Sequence, residues 1–392
     1  VMILGRTALK SAEDMPAVRE LQQQYRLRGL HEYLGTAPPP AAAKAPAKKK
    51  AAEPAALGVL PDSELKQIVK SGAVYAEGGI KPDQIQPASL DLRLGKVAYR
   101  LRASFLPGDQ VVADRLDDSL VMHTLDLTRG AVLETGCVYL VPLQERVKLP
   151  KDLSGSANPK SSTGRIDVFV RAVSDRARAF DGIPAGYQGE LYAEISPRTF
   201  SVLARTGDRL LQLRIRRGVQ TPVRDMTFSL DLHPTQSDIV GYRAKRHSRV
   251  IDLAAIGAHT VDDFWEPVRA REGRIVLDPG EFYILASKEK IVIPLDEAAE
   301  MAPIAPELGE FRAHYAGFFD PGFGVTHSKG KAVLEVRSRD VPFILEDGQP
   351  VGRLVFEKLT AKPDVPYGAA GSYSTYAGQG LRLSKYFEAA ED

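Results

Sequence analysis

The stretch Gly136-Cys-Val-Tyr-Leu-Val-Pro-Leu143 places closely spaced apolar, β-forming side chains directly after a turn-forming glycine. Similar short segments occupy residues 166–170, 191–195 and 333–336, and Gly, Pro and Asp residues separate them from their neighbours. Many short strands with regular turn signals are typical of barrels and sandwiches. The sequence therefore predicts a mainly β protein with few short helices.

Part of this stretch occurs twice in the chain. Gly136-Cys-Val-Tyr-Leu140 returns as Gly280-Glu-Phe-Tyr-Ile284, which is 144 residues later. Three further motifs return in the same order, 140 or 141 residues later: Ser89-Leu-Asp-Leu as Ser229-Leu-Asp-Leu, Glu194 as Glu335, and the segment from Gly207 as the segment from Gly348. Four matches at nearly one offset indicate an internal duplication. We expect a first copy over residues 58–225 and a second copy over residues 226–392.

The residues ahead of the first copy differ from it in composition. Residues 1–35 carry apolar side chains at helical spacing and are expected to form a helical appendage. Residues 36–57 are rich in Pro, Ala and Lys, a composition that cannot bury a core and predicts an extended linker.

The overall composition favours a globular protein of the cytoplasm. Of the 392 residues, 44% are apolar and 26% are charged, and the formal net charge is +2. No apolar run approaches the roughly 18 residues of a membrane span, and this charge favours neither a nucleic-acid nor a membrane partner. Cys137 is the one cysteine, which excludes an intrachain disulfide framework and favours a reducing compartment.

Pro159-Lys-Ser-Ser-Thr-Gly-Arg165 is the sharpest local signal for a ligand. Two adjacent hydroxyls, a glycine and an arginine supply the neutral donors, exposed N–H groups and bidentate cation that bind a triphosphate. Ser-Ser-Thr-Gly is also ordinary turn chemistry, so both interpretations remain open for the motif by itself.

Several motifs occur together in the order found in a known family. They are Pro87-Ala-Ser-Leu-Asp-Leu-Arg-Leu-Gly95, Lys160-Ser-Ser-Thr-Gly-Arg165, residues 180–194, Gly207-Asp-Arg-Leu-Leu-Gln-Leu213, Phe319-Asp-Pro-Gly-Phe-Gly324, Val333-Leu-Glu-Val336, Pro366-Tyr-Gly368 and Tyr376-Ala-Gly-Gln379. Over residues 58–392 the chain resembles the bacterial dCTP deaminase family in its long, duplicated form. The resemblance implies tandem dUTPase-like domains, which are distorted, jelly-roll-like β-barrels.

The resemblance also implies the roles of individual residues. The catalytic residues would be Glu194, Arg165 and Ser161, with Glu335 as the alternate glutamate. The substrate-binding residues would be Lys160, Ser162, Gln212, Tyr367 and Gln379. Glu194 is preferred as the general base that activates water against cytosine C4. Without the neighbouring motifs, Glu194 also fits a strand residue that faces solvent.

The expected reaction converts dCTP to dUTP and ammonia for the supply of dUMP and thymidylate. Zinc-dependent base deaminases need a Pro-Cys-x-x-Cys pair for their metal, and a chain with one cysteine lacks it. We therefore expect a zinc-independent enzyme whose Mg²⁺ arrives on the substrate phosphates. The expected ligand is dCTP, with dUTP or dTTP as further candidates, and the expected assembly is a homo-oligomer.

Each copy keeps only half of the expected site. The second copy has Ala305-Pro-Glu-Leu-Gly309 where the first has Ser161-Ser-Thr-Gly-Arg165, and the first copy has no closing tail. We expect the second copy's tail to fold over a first-copy loop, in the same chain or in a neighbouring one. Truncation after Leu359 would then destroy catalysis without unfolding the protein. The alternatives are a dUTP diphosphatase, a bifunctional deaminase and diphosphatase, and a nucleotide-sensing protein without turnover.

Overall fold

The structure, a computed structural model, describes residues 55–389 except 236, 303–310, 314–316, 326–329 and 339, and only the backbone of 311–313. The appendage predicted for residues 1–35 and most of the linker predicted for residues 36–57 lie outside the described residues. No helix within the described ranges has both the length and the apolar character that a membrane span requires.

The first copy consists mainly of short strands, as its turn residues predict. Its elements are β1 (Gly58–Val59), α1 (Asp62–Lys70), β2 (Val74–Ala76), β3 (Leu90–Leu92), β4 (Val97–Leu101), β5 (Val121–Asp126), β6 (Ala131–Leu133), β7 (Val138–Lys148), β8 (Leu153–Pro159), α2 (Ser161–Gly164), β9 (Val168–Ser174), β10 (Gly182–Ile183), β11 (Gln188–Pro197), β12 (Val202–Ala204) and β13 (Leu211–Arg217). Short 3-10 turns occupy Pro82–Gln84 and Val112–Arg115.

The second copy repeats this pattern. Its elements are β14 (Pro222–Ser229), β15 (Ile239–Ala244), β16 (Ile251–Asp252), α3 (Val261–Phe264), β17 (Trp265–Arg269), β18 (Arg274–Leu277), β19 (Phe282–Lys290), β20 (Glu297–Ala302), β21 (Phe311–Ala313), β22 (Phe318–Phe319), β23 (Lys331–Ser338), β24 (Phe343–Glu346) and β25 (Pro350–Lys358). The described residues that follow, 359–389, are called the tail below.

The sheet topology confirms the duplication. One sheet of the first copy has the order β5-β4-β7-β11-β9, and its counterpart in the second copy has the order β17-β15-β19-β23-β21. A local hydrogen bond is repeated as well, because the hydroxyls of Tyr139 and Tyr283 accept the N–H groups of Glu134 and Asp278, both at 3.0 Å. The predicted mainly β, duplicated fold is therefore confirmed.

The predicted division between residues 225 and 226 falls inside a strand. β14 pairs antiparallel with β25 from Pro222, opposite Glu357, to Ser229, opposite Pro350. The whole strand therefore belongs to the second copy's sheet, and the passage between copies lies in the turn after β13.

The end of the tail packs into an apolar core cluster to which both copies contribute. Leu383, Tyr386 and Phe387 are buried in the same apolar cluster as the first copy's strands. The Phe387 ring meets Phe264 and Trp265 edge to face, with centroids 5.4 and 5.7 Å apart. Truncation after Leu359 would remove these core side chains, which corrects the expectation that it leaves the fold intact.

We expect Phe387→Ala to lower the free energy of unfolding by about 3–5 kcal/mol, because it opens a cavity among buried aromatic rings. Chemical denaturation monitored by circular dichroism measures this change. Val219→Ala, at a side chain 82% exposed, is the control and should change stability by less than about 0.5 kcal/mol. Equal stability of the two variants would contradict the docking of the tail.

Candidate active site

Residues 160–165, the predicted phosphate loop, follow β8 and contain the single helical turn α2. The Thr163 hydroxyl donates to the carbonyl of Leu210 at 3.0 Å, which ties the turn to the start of β13. From β13 the Gln212 amide donates to the carbonyl of Pro159 at 3.3 Å. The loop is therefore attached to the first copy's barrel on both sides of its hydroxyl pair.

A pocket beside this loop is lined by both copies and by the tail. The first copy contributes Asp91, Lys160, Ser161, Ser162, Arg165, Arg209 and Gln212; the second contributes Phe318, Phe319, Asp320, Phe323 and Val333; the tail contributes Tyr367, Tyr376, Gln379 and Lys385. Every site residue predicted from the sequence, except the two glutamates, lines this pocket. The structure thus brings the first copy's loop and the second copy's tail together within one chain.

Arg165 joins the loop to the tail. Its guanidinium lies 3.9 Å from the centre of the Tyr376 ring, and it donates to Gln379 Oε1 at 2.8 Å and to the carbonyl of Arg382 at 3.0 Å. Arg165 is 3% exposed. Burial lowers the pKa of its guanidinium, but arginine remains cationic under such conditions.

Further hydrogen bonds join two parts of the tail to each other and attach the tail to the loop. The Tyr367 hydroxyl accepts the N–H of Tyr376 at 3.1 Å, and burial raises its pKa. The Ser384 hydroxyl donates to the carbonyl of Ser162 at 2.7 Å. The tail therefore contacts the backbone of the loop as well as the Arg165 side chain.

Three cations converge on one side of the pocket. Lys160 Nζ lies 2.5 Å from Asp91 Oδ1, and Arg209 lies 2.9 Å from Asp83 and 3.8 Å from Asp91. Lys385 lies close to both cations: burial lowers the pKa of its ammonium, and the charges of Lys160 and Arg209 lower it further. A bound polyanion would relieve this repulsion.

Glu335 faces the first copy from β23. Its neighbour Val333 packs into the first copy's core cluster, whereas Leu334 and Val336 pack into the second copy's cluster. Successive residues of a strand point to opposite faces, so Glu335 shares the face of Val333, which lies two residues before it. The side chain is 1% exposed, and burial raises the pKa of its carboxyl to about 8, although the charge of Arg165 opposes this shift.

Glu194, the counterpart of Glu335, lies elsewhere. It shares a face of β11 with Tyr192, which belongs to a separate apolar cluster covered by the connection 102–120. Glu194 Oε1 lies 2.5 Å from Arg171 Nη2, so its carboxylate is paired on the face of the sheet that this cluster covers. The geometry therefore favours Glu335 over the predicted Glu194, because the face of β23 that carries Glu335 lies against the first copy and near Arg165.

Sequence reasoning missed several residues of the pocket. Asp320 lies in the motif that begins at Phe319; burial raises the pKa of its carboxyl to about 6, and the charge of Arg214 opposes this. Arg209 lies in the motif that begins at Gly207 and could have been found there. No local signal marked Lys385. Within the described ranges, no three His, Cys, Asp or Glu side chains are grouped to hold a metal ion.

Known proteins resemble this chain in sequence and in structure. Two family models match: the 2'-deoxycytidine 5'-triphosphate deaminase N-terminal domain over residues 56–219 and the corresponding C-terminal domain over residues 207–387. A crystal structure of 2'-deoxycytidine 5'-triphosphate deaminase from Agrobacterium tumefaciens matches 79% of this chain and all of its own chain, with 50% identity and a TM-score of 0.75. The chain belongs to the dCTP deaminase family. The match also confirms the expected dUTPase-like fold.

Curated members of the dCTP deaminase family are more distant. The dUMP-forming dCTP deaminase of Mycolicibacterium vanbaalenii is 34% identical over 126 residues, 31% of this chain and 64% of that protein. The dCTP deaminase of Natronomonas pharaonis is 30% identical over 158 residues, 40% of this chain and 78% of that protein. The chain thus spans slightly less than two thirds of the Mycolicibacterium relative.

Proposed function

We propose that this chain is a hydrolase that converts dCTP and water to dUTP and ammonia. The observation that carries the proposal is the position of Glu335, a buried carboxyl on the face of β23 that meets Arg165 and the pocket. The Agrobacterium structure, 50% identical to this chain, supports dCTP as the substrate.

Glu335 is the proposed general base. A water molecule adds to cytosine C4, and Glu335 accepts one of its protons and passes it to the exocyclic amine, which leaves as ammonia. The other water proton ends on N3, so a C–O bond replaces a C–N bond without oxidation or reduction. A pKa of about 8 supports this role, because the carboxyl can hold the proton between the two transfers.

Lys160, Arg209 and Lys385 are proposed to bind the triphosphate, since they form the cationic side of the pocket. Ser161 and Ser162 would add hydroxyl donors, as the sequence predicts. Mg²⁺ would enter on the phosphates as part of the substrate, without a zinc ion in the protein. We also propose that the protein works as a homo-oligomer in the cytoplasm.

Tyr367 and Gln379 are proposed to close the pocket after the nucleotide enters. Both lie on the tail, and Gln379 already contacts Arg165 at 2.8 Å. Closure of this kind would exclude water other than the attacking molecule.

A second candidate reaction forms dUMP directly. The name of the Mycolicibacterium relative, a dUMP-forming dCTP deaminase, favours it. Such an enzyme would also cleave diphosphate from the nucleotide in the same pocket.

Incubation of the purified chain with Mg²⁺ and dCTP tests the proposal. We expect ammonia and dUTP in equal amounts, separated by anion-exchange chromatography, and no diphosphate from dUTP supplied alone. Equal amounts of ammonia, dUMP and diphosphate would instead support the dUMP-forming reaction. Nucleotide binding without ammonia would support a sensing protein.

A further inference from the structure

An ion pair joins the two copies directly beside Arg165 and Glu335. Asp167 follows Arg165 by two residues, and Arg337 follows Glu335 by two. Arg337 Nη2 donates to Asp167 Oδ2. The Thr199 hydroxyl donates to the same oxygen at 2.5 Å and accepts from Arg337 Nη2 at 2.8 Å.

Asp167 is built into the end of the phosphate loop. Its N–H donates to the carbonyl of Gly164, and its own carbonyl accepts the N–H of Arg198, both at 2.9 Å. Its φ of 52° lies in the left-handed region, which explains why β9 begins at Val168 rather than at Ile166 as predicted. Non-glycine residues keep such a conformation where their surroundings hold it, and here it directs a fully buried carboxylate towards the second copy.

Arg337 lies on the same face of β23 as Glu335, since alternate residues share a face. At the other end of this strand, the Lys331 N–H donates to the carbonyl of Gln379 at 3.1 Å, and the Gln379 side-chain amide donates to the carbonyl of Lys331 at 3.0 Å. Gln379 in turn binds Arg165. Glu335 therefore lies between two attachments of β23 to the loop, one through the tail and one through Arg337.

We propose that Asp167 and Arg337 are positioning residues that hold Glu335 against Arg165 and the substrate pocket. This inference rests on the proposed function, in which Glu335 is the base. It adds residues that lie outside the lining of the pocket, and it gives the buried pair a role in catalysis beyond stability.

The charges around Glu335 give the proposal a specific signature. Arg165 lowers the pKa of the Glu335 carboxyl and Asp167 raises it, while burial is the largest cause of the shift. On the adjacent strand β19, the residue opposite Glu335 is the uncharged Ile284. Removing the charge of Asp167 should therefore lower the pKa of Glu335, and the uncompensated Arg337 would act in the same direction.

The test compares Asp167→Asn and Arg337→Lys with a control, Glu357→Gln. Glu357 forms another buried ion pair between the copies, with Arg216 at 3.0 Å, but lies outside the pocket. We expect Asp167→Asn to lower kcat about 10- to 100-fold, as a misplaced catalytic group does, and to shift the acidic limb of the kcat/KM profile to lower pH. Arg337→Lys keeps the positive charge but changes the shape of the group that binds Asp167. The acidic limb of the kcat/KM profile should therefore stay at the same pH, while kcat falls.

Glu357→Gln should lower the melting temperature without moving the pH profile or kcat. If Asp167→Asn behaves like Glu357→Gln, the pair is structural and the proposal is wrong. If Asp167→Asn does not fold, Arg337→Lys decides the test. An unchanged kcat in Arg337→Lys overturns the proposal, whereas a reduced kcat with the acidic limb of the kcat/KM profile at its original pH supports it. Full activity in Glu335→Gln would show that Glu335 is not the base and would remove the premise of this proposal. The absence of ammonia release from dCTP in the unaltered protein would instead refute the proposed function, so the two failures are distinguishable.

Discussion

Glu335→Gln is expected to lower kcat for ammonia release from dCTP by about 100- to 10,000-fold, the usual contribution of a general base. The amide keeps the shape of the carboxyl but cannot accept a proton from water. The affinity for dCTP should therefore change little. Steady-state assays of ammonia, with calorimetry for binding, measure the two effects separately.

Glu194→Gln is the matched control for this substitution. It makes the same chemical change at the equivalent position of the first copy, where the carboxylate pairs with Arg171 instead of facing the pocket. Turnover should stay within a few-fold of the unaltered protein. The reverse result, with Glu194→Gln inactive and Glu335→Gln active, would return the role of base to Glu194.

The pH dependence of the unaltered protein follows from the same carboxyl. Glu335 must be ionised before it can act as a base, so kcat/KM should rise with pH and level off above about 8, its raised pKa. A raised pKa means that the folded protein holds this proton more tightly than the unfolded chain. The protonated carboxyl therefore stabilises the folded protein. This stabilisation is complete below pH 4.5, the ordinary pKa of the group, and is lost as the pH rises through about 8. Glu335→Gln should remove the rise in kcat/KM and the part of the change in stability that Glu335 contributes.

Arg165→Ala should lower kcat/KM for dCTP by about 100- to 1,000-fold, because truncating one member of a buried polar network leaves its partners without a donor. Gln379 Oε1 and the Arg382 carbonyl would lose their bonds, and the Tyr376 ring would lose its stacked cation. The loss should be larger with dCTP than with deoxycytidine if Arg165 also supports triphosphate binding.

Arg165→Lys is the control, since lysine keeps the positive charge but lacks the planar guanidinium group and its several hydrogen-bond donors. This variant should recover only part of the activity. Loss of the positive charge in Arg165→Ala should also move the acidic limb to higher pH, opposite to the shift in Asp167→Asn. Unchanged turnover of dCTP in Arg165→Ala would remove the residue from the site.

Local signals account for the parts of the fold that the sequence predicts well. The segment 138–143 lies in β7 and residues 191–195 lie in β11, because apolar, β-forming runs between turns specify strands over short distances. The duplication is visible for the same reason, since each copy keeps its own strand and turn residues. The motifs that carry the family resemblance together contain most of the residues that line the pocket.

The choice between the glutamates could not be made in this way. Glu194 and Glu335 have similar local sequences and equivalent strand positions, and the difference between them is which neighbour covers their face of the sheet. The connection 102–120 covers one, and the first copy's loop meets the other. Lys385 was missed for a similar reason, because it reaches Lys160 only after a long tail has folded back across the chain.

The joining of the first copy's loop to the second copy's strand and tail has a consequence for assembly. When two halves of a site belong to separate molecules, their encounter depends on concentration and can be reversed by dilution. A covalent connection replaces that encounter with a high effective concentration of each half for the other. In this protein, folding of a single chain brings the loop of the first copy together with the strand and tail of the second copy. The two halves of the site therefore stay together on dilution, even in an isolated molecule.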